Sequence, residues 1–319
     1  MRIGLTYNLK PPGATGDRYE EFDSLETIEA LEGALRARGD EPVRLGWGAE
    51  MLDALGRTRV DGVFNLAEGI GGRGRESQVP ATLEMLGVPC SGSDPLAIGI
   101  TLDKALAKLV VKAHGIPTAP WKVYGPAVYG PASAGHRPPD ASTFPLFVKP
   151  ACEGSSMGIT AQSLCHTQGE LDAAIARVSQ YGPVLVEEFL PGDEYTVGII
   201  DGEVLAAMQV VPRSASKEFV YSIEVKRDYE RLVEYRLVDD RDVKDVALAV
   251  WHALELRDVG RVDVRRDRNG VANFVEVNPL PGVHPKNSDL VIMAKAAGWT
   301  YERLIGGIVD SAERRWRAA

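Results

Sequence analysis

The sequence predicts an α/β fold, α+β in part, that is divided into three units and has a parallel sheet in the first. Residues 1–94 alternate short apolar strands with amphipathic helices, a pattern typical of parallel sheets. Residues 95–183 begin with a helical pattern and continue into strands, and residues 184–319 hold two hairpin signatures. A chain of 319 residues is long enough for two or three units with sizeable cores.

The elements of the first unit follow from its hydrophobic periodicity. The expected elements are a strand at 3–7, a helix at 24–38, a strand at 60–66, a helix that ends near 86 and a strand near 88. Asp23 and Glu26 fit a capping box at the start of the first helix, and Gly39 fits its end. Because strands and helices alternate here, we expect the strands to run parallel.

The second and third units are predicted from start and stop signals. Thr101 begins a helix that Gly115 ends, and the proline- and glycine-rich residues 125–142 indicate a long exposed loop. Asp201-Gly202 is typical of a type I′ turn between two strands. The expected elements are a helix at 102–114, strands at 144–149, 184–188, 195–200 and 203–208, and helices at 242–256 and 300–317.

Composition limits the class of partner. The net charge of -9 and the pI near 5.2 argue against nucleic acid or an anionic membrane as partners, although small anionic ligands remain compatible with a local basic pocket. Three widely spaced cysteines favour neither a disulfide framework nor a zinc site. With no signal peptide and no apolar run of membrane-spanning length, a cytoplasmic location is expected.

The segment 260–278 predicts a metal site on a hairpin. If Asn269-Gly270 is a two-residue turn, Asp263 lies opposite Glu276 and Arg261 lies opposite Asn278, all on one face. The valines of this segment then face a core, and they are Val262, Val264, Val275 and Val277. Facing carboxylates repel each other unless a cation lies between them, and oxygen ligands suit Mg²⁺. A surface hairpin whose arginines neutralise its acids is the alternative.

A second candidate site is the small-residue loop after Lys149. Residues 150–158 are rich in Gly and Ser, so backbone N–H groups and hydroxyls could approach phosphates while Lys149 supplies a charge. A plain hairpin turn is the alternative. Further along, residues 184–194 form an apolar strand and an acidic turn, whose carboxylates could accept ribose hydroxyls or could simply be solvated.

A rival function comes from residues 69–74, which match the pattern GxGxxG after a predicted strand. With Asp94 at about the spacing of a ribose-binding acid, this pattern would indicate a dinucleotide-binding dehydrogenase. However, Asp94 stands between Ser93 and Pro95 rather than at the end of a strand. The rival also leaves the acidic hairpin and the Lys149 loop without a role.

Taken together, these motifs resemble the D-alanine-D-alanine ligase family of ATP-grasp enzymes over nearly the whole chain. The matching segments are Val63-Phe64-Asn65, 103–108, 115–121, 147–150, 153–158, 260–263 and 276–282. The resemblance implies a three-part ATP-grasp fold in which residues 95–183 carry a phosphate lid loop and residues 184–319 carry the metal site. It implies ATP and Mg²⁺ or Mn²⁺ as cofactors, small amino-acid-like substrates, and leaves a homodimer open.

The resemblance also implies roles for matching residues. Nucleotide phosphates would be bound by Lys104, Lys149, Ser155 and, near the γ-phosphate, Lys226. Glu187 would lie toward adenine and Glu194 toward ribose. The metal ligands would be Asp263, Glu276 and Asn278. Arg261 and the Gly282 amide would hold the acyl phosphate and the tetrahedral intermediate, while Ser156 would help to close the lid.

The substrate half departs from the family pattern. Glu20 is the nearest counterpart of the substrate-fixing Glu, Glu68 replaces a His, and Arg227 replaces a Tyr. The loop at 282–288, which ends at Ser288, is one residue longer and adds Lys286. We therefore expect a related ligase that joins two small amino-acid-like substrates, one of them with an additional carboxylate or another acceptor-rich group. The alternatives are an authentic D-alanine-D-alanine ligase, an ATP-dependent phosphotransferase, and a catalytically silent nucleotide-binding module.

Overall fold

The computed structural model describes residues 1–14, 19–125, 144–214 and 218–318. Apart from Gly125, the exposed loop that the sequence predicts at 125–142 lies outside these residues. The described strands form a parallel three-stranded sheet and two antiparallel sheets of four and five strands. The mixture of one parallel and two antiparallel sheets confirms the predicted α/β class with its α+β part.

The first sheet is parallel, as predicted, and has the strand order β2-β1-β3. Its elements are β1 (Arg2–Tyr7), α1 (Leu25–Ala37), β2 (Glu41–Gly46), α2 (Ala49–Arg57), β3 (Gly62–Leu66) and α3 (Gln78–Met85). The sequence missed β2 and α2, because β2 is a half-exposed edge strand without clear alternation. The strand predicted near 88 is reduced to a single bridge between Val63 and Cys90.

Helix α1 begins at a different cap from the one predicted. The Ser24 side chain, not that of Asp23, accepts the Thr27 N–H at 3.1 Å. The capping box of Asp23 and Glu26 is therefore wrong. Gly39 has a φ of 91° just after the helix, which confirms the predicted end.

Helix α4 (Pro95–Leu102) was not predicted from the sequence. The helix predicted at 102–114 is α5 (Lys104–Ala113), which begins after Asp103 rather than at Thr101. Asp103 separates the two helices with an extended backbone, and its carboxylate accepts the N–H groups of Ala105 and Leu106 at 3.1 Å each. This cap fixes Lys104 in the first turn of α5, at the edge of the cleft described below.

Two antiparallel sheets complete the fold. The four-stranded sheet has the order β4-β7-β5-β6 and the five-stranded sheet the order β10-β9-β8-β11-β12. Their strands are β4 (Trp121–Tyr124), β5 (Leu146–Pro150), β6 (Leu164–Cys165), β7 (Val184–Glu188), β8 (Glu194–Ile200), β9 (Glu203–Pro212), β10 (Val233–Val238), β11 (Val259–Arg266) and β12 (Ala272–Asn278). Their helices are α6 (Gln168–Val178), α7 (Ile223–Arg227), α8 (Tyr229–Leu232), α9 (Arg241–Ala253), α10 (Asp289–Ala296) and α11 (Tyr301–Ala318). Asp201 and Gly202 both have positive φ, which confirms the predicted type I′ turn.

The hydrophobic cores cross the unit boundaries proposed from the sequence. Side chains of α5 pack in one cluster with β8, β11 and α9, and side chains of β1 and α1 pack in another with α10 and α11. The two ends of the chain therefore share a core. Among the described helices, none combines the length and apolar character needed to cross a membrane.

Candidate active site

The hairpin of β11 and β12 has the register that the sequence predicts. Asp263 lies opposite Glu276, and Arg261 lies opposite Asn278. Strand β8 pairs with the other edge of β11, and β12 is the edge strand of the five-stranded sheet, where the Phe274 N–H donates to the Pro117 carbonyl at 2.8 Å. The side chains of Arg261 and Asp263 retain only 15% and 19% of their exposed area, so this face of the hairpin is largely covered. The alternative of a surface hairpin is therefore wrong.

The turn that joins the two strands differs from the prediction. The Asp267 N–H donates to the Val271 carbonyl at 2.9 Å, so three residues form the loop instead of two. Gly270 has a φ of 79°, but Asn269 lacks the positive φ that a type I′ turn requires. By itself, the extra loop residue would move β12 by one residue against β11. Every cross-strand pair would then change, and the side chains of β12 would exchange the two faces of the sheet.

A β-bulge in β12 restores the register. Val264 lies opposite Phe274 and Asp263 opposite Glu276, so Val275 is the extra residue of the ladder. The prediction that Val275 faces the core is wrong, because Phe274 is the fully buried residue there and Val275 lines the cleft. The bulge thus cancels the shift caused by the longer loop.

The two facing carboxylates have opposite pKa shifts. Burial raises the pKa of Asp263, and the Glu276 carboxylate adds to this effect while Arg261 opposes it. For Glu276, burial is outweighed by Lys104, Lys149 and Arg261, and the pKa is lowered. Lys104 Nζ lies 3.5 Å from Glu276 Oε2. Cations are thus needed to hold these two acids together, as expected for a site that takes a divalent ion.

Asn278 completes the oxygen-rich group of side chains that fits Mg²⁺. Its Oδ1 accepts the Leu280 N–H at 2.8 Å, which fixes the amide at the end of β12 and leaves a second lone pair on the oxygen. Two carboxylates and one amide oxygen are hard ligands of the kind that Mg²⁺ prefers. The donor set of Asp263, Glu276 and Asn278 therefore fits this ion.

Lys149 lies in a buried ion triad with Glu187 and Lys108. Glu187 Oε1 lies 2.7 Å from Lys149 Nζ, and Glu187 Oε2 lies 2.8 Å from Lys108 Nζ. Although burial opposes ionisation, the two lysines lower the pKa of Glu187 to about 2. Each oxygen of Glu187 keeps acceptor capacity beyond its one lysine, so the triad remains compatible with an adenine contact by this carboxylate. The sequence analysis assigned Lys108 no role of its own, because it stands within the matching segment 103–108. Its complete burial beside Glu187 shows that it belongs to the triad.

One cleft collects most of the predicted nucleotide residues. Its wall contains charged residues, namely Lys149, Glu187, Glu194, Lys226, Arg261, Asp263 and Glu276, and apolar ones, namely Phe147, Ile159, Phe189, Leu190, Val210 and Val220. Glu194 Oε2 lies 3.1 Å from Arg265 Nη1. A cleft with a few charged groups among apolar side chains is typical of a small-molecule site.

The small-residue loop lies over this cleft. Ser155 and Ser156 have φ values of 49° and 57°, a conformation that costs free energy for residues other than Gly. Lys226 Nζ donates to Ser155 Oγ at 3.1 Å, so α7 contacts the loop. Gly154 packs so closely on Glu21 that a Cβ at this position would collide with the Glu21 carboxylate.

Beside the loop lies a group of carboxylates around Arg75, which the sequence analysis missed. Arg75 lies 2.8 Å from Glu21 and 3.6 Å from Glu153, and it donates to the Cys152 carbonyl at 3.0 Å. Glu68 and Glu76 belong to the same group, and burial followed by neighbouring carboxylates raises the pKa of Glu68. The structure thus brings Glu21 rather than Glu20 to the lid. No sequence pattern distinguishes these adjacent glutamates.

The cations expected to bind substrate are instead paired with carboxylates of the chain. Arg227 lies 2.6 Å from Glu20, and Lys286 lies 2.7 Å from Glu26 at the start of α1. Ser288 Oγ accepts the His284 N–H at 2.8 Å and closes the lengthened loop close to Gly282. These pairs remove the main support for a substrate that carries an additional carboxylate.

Residues of the GxGxxG segment and Asp94 form ion pairs and helix caps within the fold. Arg73 forms an ion pair with the buried Asp103 at 2.8 Å, and Asp94 caps α4 and lies 2.7 Å from Arg257. An acid engaged in this way is not free for a ribose. The dehydrogenase rival therefore has no support in the structure.

Comparisons with known proteins show which family the chain is similar to. The family model described as D-ala D-ala ligase C-terminus matches residues 110–310. A D-alanine-D-alanine ligase of Aquifex aeolicus is 33% identical over 92% of this chain and 97% of its own, and an uncharacterised protein of Sinorhizobium fredii is 33% identical over 83% and 78%. The crystal structure of a Bacillus anthracis D-alanine-D-alanine ligase complexed with ATP superposes with a TM-score of 0.74, at 25% identity over 100% of this chain and 99% of that one.

The fold, the cleft and these matches define an ATP-dependent ligase with the ATP-grasp fold. The chain belongs to the D-alanine-D-alanine ligase family.

Proposed function

We propose that the protein joins two small amino-acid-like substrates in an ADP-forming reaction that passes through an acyl phosphate. The observation that carries this proposal is the meeting of Asp263, Glu276 and Arg261 with Lys149 and Lys226 in one cleft. Phosphoryl transfer needs cations around the phosphate oxygens, and amide formation needs a donor for an oxyanion. The cleft supplies both kinds of group.

In this proposal the phosphate groups of ATP lie among lysines. Lys149 and Lys226 contact the phosphates from opposite walls, and Lys104 lies beside Glu276 at the third side. The Ser155 hydroxyl and the small-residue loop cover them. The apolar wall around Phe189 accepts the adenine, while Glu194 lies toward the ribose. Asp263, Glu276 and Asn278 would hold Mg²⁺, which when bound offsets the negative charge of the phosphoryl oxygens.

The chemistry follows from the weakness of a carboxylate as an electrophile. Its oxygen attacks the γ-phosphorus of ATP, ADP leaves, and an acyl phosphate forms. The amine of the second substrate then attacks the acyl carbon and loses a proton, and phosphate departs with the C–O bonding electrons. Arg261 and the Gly282 N–H would stabilise the oxyanion between these two events. The lid at 153–158 would keep water from the acyl phosphate.

The departures at Glu68 and Arg227 favour a relative of the D-alanine dimerising enzymes, and the carboxylates near Glu68 indicate how an amino acid would be bound. Glu68 stands in a group with Glu21 and Glu76 that has Arg75 as its main cation. An excess of buried carboxylates suits a substrate that presents an ammonium group there. The ammonium group of an amino acid meets this requirement.

The proposal is tested by measuring ADP release with pairs of amino acids, including a pair of D-alanines, and by identifying products by mass spectrometry. We expect one pair to give ADP and a dipeptide-like product, and Glu276→Gln to give neither. If one carboxylate alone releases ADP at the full rate and no amide forms, the protein is a phosphotransferase. If no pair raises ADP release above that of Glu276→Gln, the protein is a silent nucleotide-binding module.

A further inference from the structure

Arg261 is held by two carboxylates that differ in distance and origin. Its Nη1 donates to Asp289 Oδ2 at 2.7 Å, and its Nη2 donates to Asp263 Oδ2 at 3.3 Å. Its Nε is buried and has no hydrogen-bond partner among the described residues. A buried N–H without a partner costs free energy, and an oxygen of a bound ligand would satisfy it.

Asp289 has no assigned role, yet it is well fixed. It is the first residue of α10, where the partial positive charge of a helix N-terminus favours a carboxylate. Its two oxygens accept from different donors, Oδ2 from Arg261 and Oδ1 from the Tyr235 hydroxyl at 3.3 Å. The side chain retains only 14% of its exposed area. Asp289 therefore presents one oxygen to the guanidinium while the other is anchored.

A pair of tyrosines supports Asp289 from the opposite side. The hydroxyls of Tyr235, in β10, and Tyr221, just before α7, lie 2.7 Å apart. Both tyrosines line the cleft together with Arg261 and Asp289. The result is a chain of contacts from α7 through β10 and α10 to β11.

The short contact with Asp289 decides how Arg261 is shared. Without it, the guanidinium would be free to form a bidentate pair with Asp263, which is only 3.3 Å away and is needed as a metal ligand. We propose that Asp289 is a positioning residue that keeps Arg261 off Asp263 and fixes its guanidinium in the wall of the cleft, beside the site of the reacting acyl group. This inference rests on the proposed function, because it refines the role of Arg261 in that reaction.

The inference is tested with Asp289→Asn, Asp289→Glu and Tyr235→Phe, using the substrate pair that releases ADP most rapidly. We expect Asp289→Asn to lower kcat on the order of 10- to 100-fold, the effect of misplacing a catalytic group by about an ångström. The Mg²⁺ concentration that gives half-maximal rate should rise several-fold, while the KM for ATP stays within about twofold. Asp289→Glu should recover part of kcat, and Tyr235→Phe should cause a smaller loss.

Asp240→Asn is the matched control. Asp240 pairs with Arg266 at 2.6 Å. Arg266 lies on β11, as Arg261 does, but outside the cleft, so Asp240→Asn removes a comparable ion pair. We expect its kcat and Mg²⁺ dependence to match the wild type. A kcat of Asp289→Asn within about twofold of the wild type, or an equal loss in both variants, would overturn the inference. If Asp289→Asn fails to fold, Tyr235→Phe replaces it in the test. Wild-type kcat and Mg²⁺ dependence of Tyr235→Phe would then overturn the inference.

A second measurement does not depend on turnover. In protein labelled with ¹⁵N-arginine, the Nε–H signal of Arg261 is identified by its absence from Arg261→Lys. We expect this signal to shift and broaden in Asp289→Asn but not in Asp240→Asn. An unchanged signal in Asp289→Asn overturns the inference. If the wild-type protein turns over no substrate pair, the proposed function is contradicted, and the NMR result alone then tests whether Asp289 positions Arg261.

Discussion

Glu276 is a carboxylate whose position is explained only by the cations around it. It faces Asp263 across the ladder and lies near Lys104. Because Gln keeps the shape and removes the charge, we expect Glu276→Gln to lower ADP release by at least about 100-fold while the free energy of unfolding changes by less than about 1 kcal/mol. ADP release and urea unfolding measure the two effects.

Glu234→Gln is the control for this prediction. Glu234 lies on β10 with its side chain outside the cleft, and it pairs with the exposed Arg236 at 2.7 Å. Exposed pairs contribute little, so its stability and ADP release should stay near those of the wild type. Normal turnover by Glu276→Gln at ordinary Mg²⁺ would remove the metal assignment.

Asp23 predicts a pH dependence of stability. Burial raises its pKa to about 7 from the ordinary 3.8, against a hydrogen bond from Thr27. A raised pKa stabilises the native state fully below the unfolded pKa, and this contribution is lost as the pH rises from about 4 through about 7. We expect Asp23→Asn, which stays neutral, to be more stable than wild type at pH 8 by about 1 to 3 kcal/mol and equal to it near pH 3.

Urea unfolding between pH 3 and pH 8 measures this difference. Asp53→Asn, on an exposed part of α2, serves as the control and should follow the wild type at every pH. An equal effect of Asp23→Asn at pH 3 and pH 8 would show that the burial of Asp23 is not coupled to its protonation.

At the scale of elements, the hairpin shows what the sequence can and cannot predict. Counting outward from the predicted turn correctly placed Asp263 opposite Glu276, although β12 does not keep its period-2 alternation through Val275. The turn was wrong, since a three-residue loop and a bulge at Val275 together give the same register as a two-residue turn. The number of residues between Asp263 and Glu276 is the same in both cases, so the sequence alone does not distinguish them. The facing of Asp263 and Glu276 was predicted correctly although the turn was not.

Elements without strong periodicity were missed for a related reason. Strand β2 is an edge strand, and its pairing with β1 is determined by the tertiary structure. Several residues that line the cleft, among them Lys149, Glu187 and Glu194, lie in short local motifs and were therefore noticed in the sequence. The group around Arg75 was not, because it joins residues far apart in the chain, from Glu21 to Glu153.

The lid loop predicts a local effect of a single methyl group. A Cβ on residue 154 would collide with the Glu21 carboxylate, which is itself fixed by Arg75. We therefore expect Gly154→Ala to displace Glu21 and to raise the KM for the carboxylate substrate about 10-fold or more, with a change in unfolding free energy below about 1 kcal/mol. Steady-state kinetics and urea unfolding measure these quantities.

Gly169→Ala is the matched control for the lid. Gly169 lies in the first turn of α6, and a Cβ there would meet nothing within 4 Å. We expect wild-type KM values from this variant. If Gly154→Ala also keeps the wild-type KM, Glu21 does not contribute to substrate binding.

At the scale of the whole molecule, Arg227 and Glu20 join the first and last units across the cleft. The pair is 2.6 Å long but half exposed on the arginine side, so its net contribution to stability is small. We expect Arg227→Gln to leave the unfolding free energy within about 0.5 kcal/mol of wild type but to speed amide exchange at residues 19–23 several-fold. Hydrogen exchange followed by mass spectrometry measures this change.

Arg231→Gln controls for the loss of an exposed charge. Arg231 pairs with Asp228 only three residues away, so this pair does not join separate units. Its exchange pattern at residues 19–23 should equal that of the wild type. If Arg227→Gln leaves exchange at 19–23 unchanged as well, the ion pair does not hold the first unit against the last.

The packing of α11 against β1 and α1 also concerns the order in which the protein is made. Ile3 and Leu5 share a core with Leu304 and Ile308, so β1 leaves the ribosome long before its core partners in α11. At ordinary speeds of synthesis this interval is roughly 15 to 60 seconds. During that time the apolar face of β1 is open to chaperones and proteases. Nascent chains arrested before residue 300 should be cleaved near β1 by a probe protease that spares the released protein, and equal resistance would show that the first sheet folds alone.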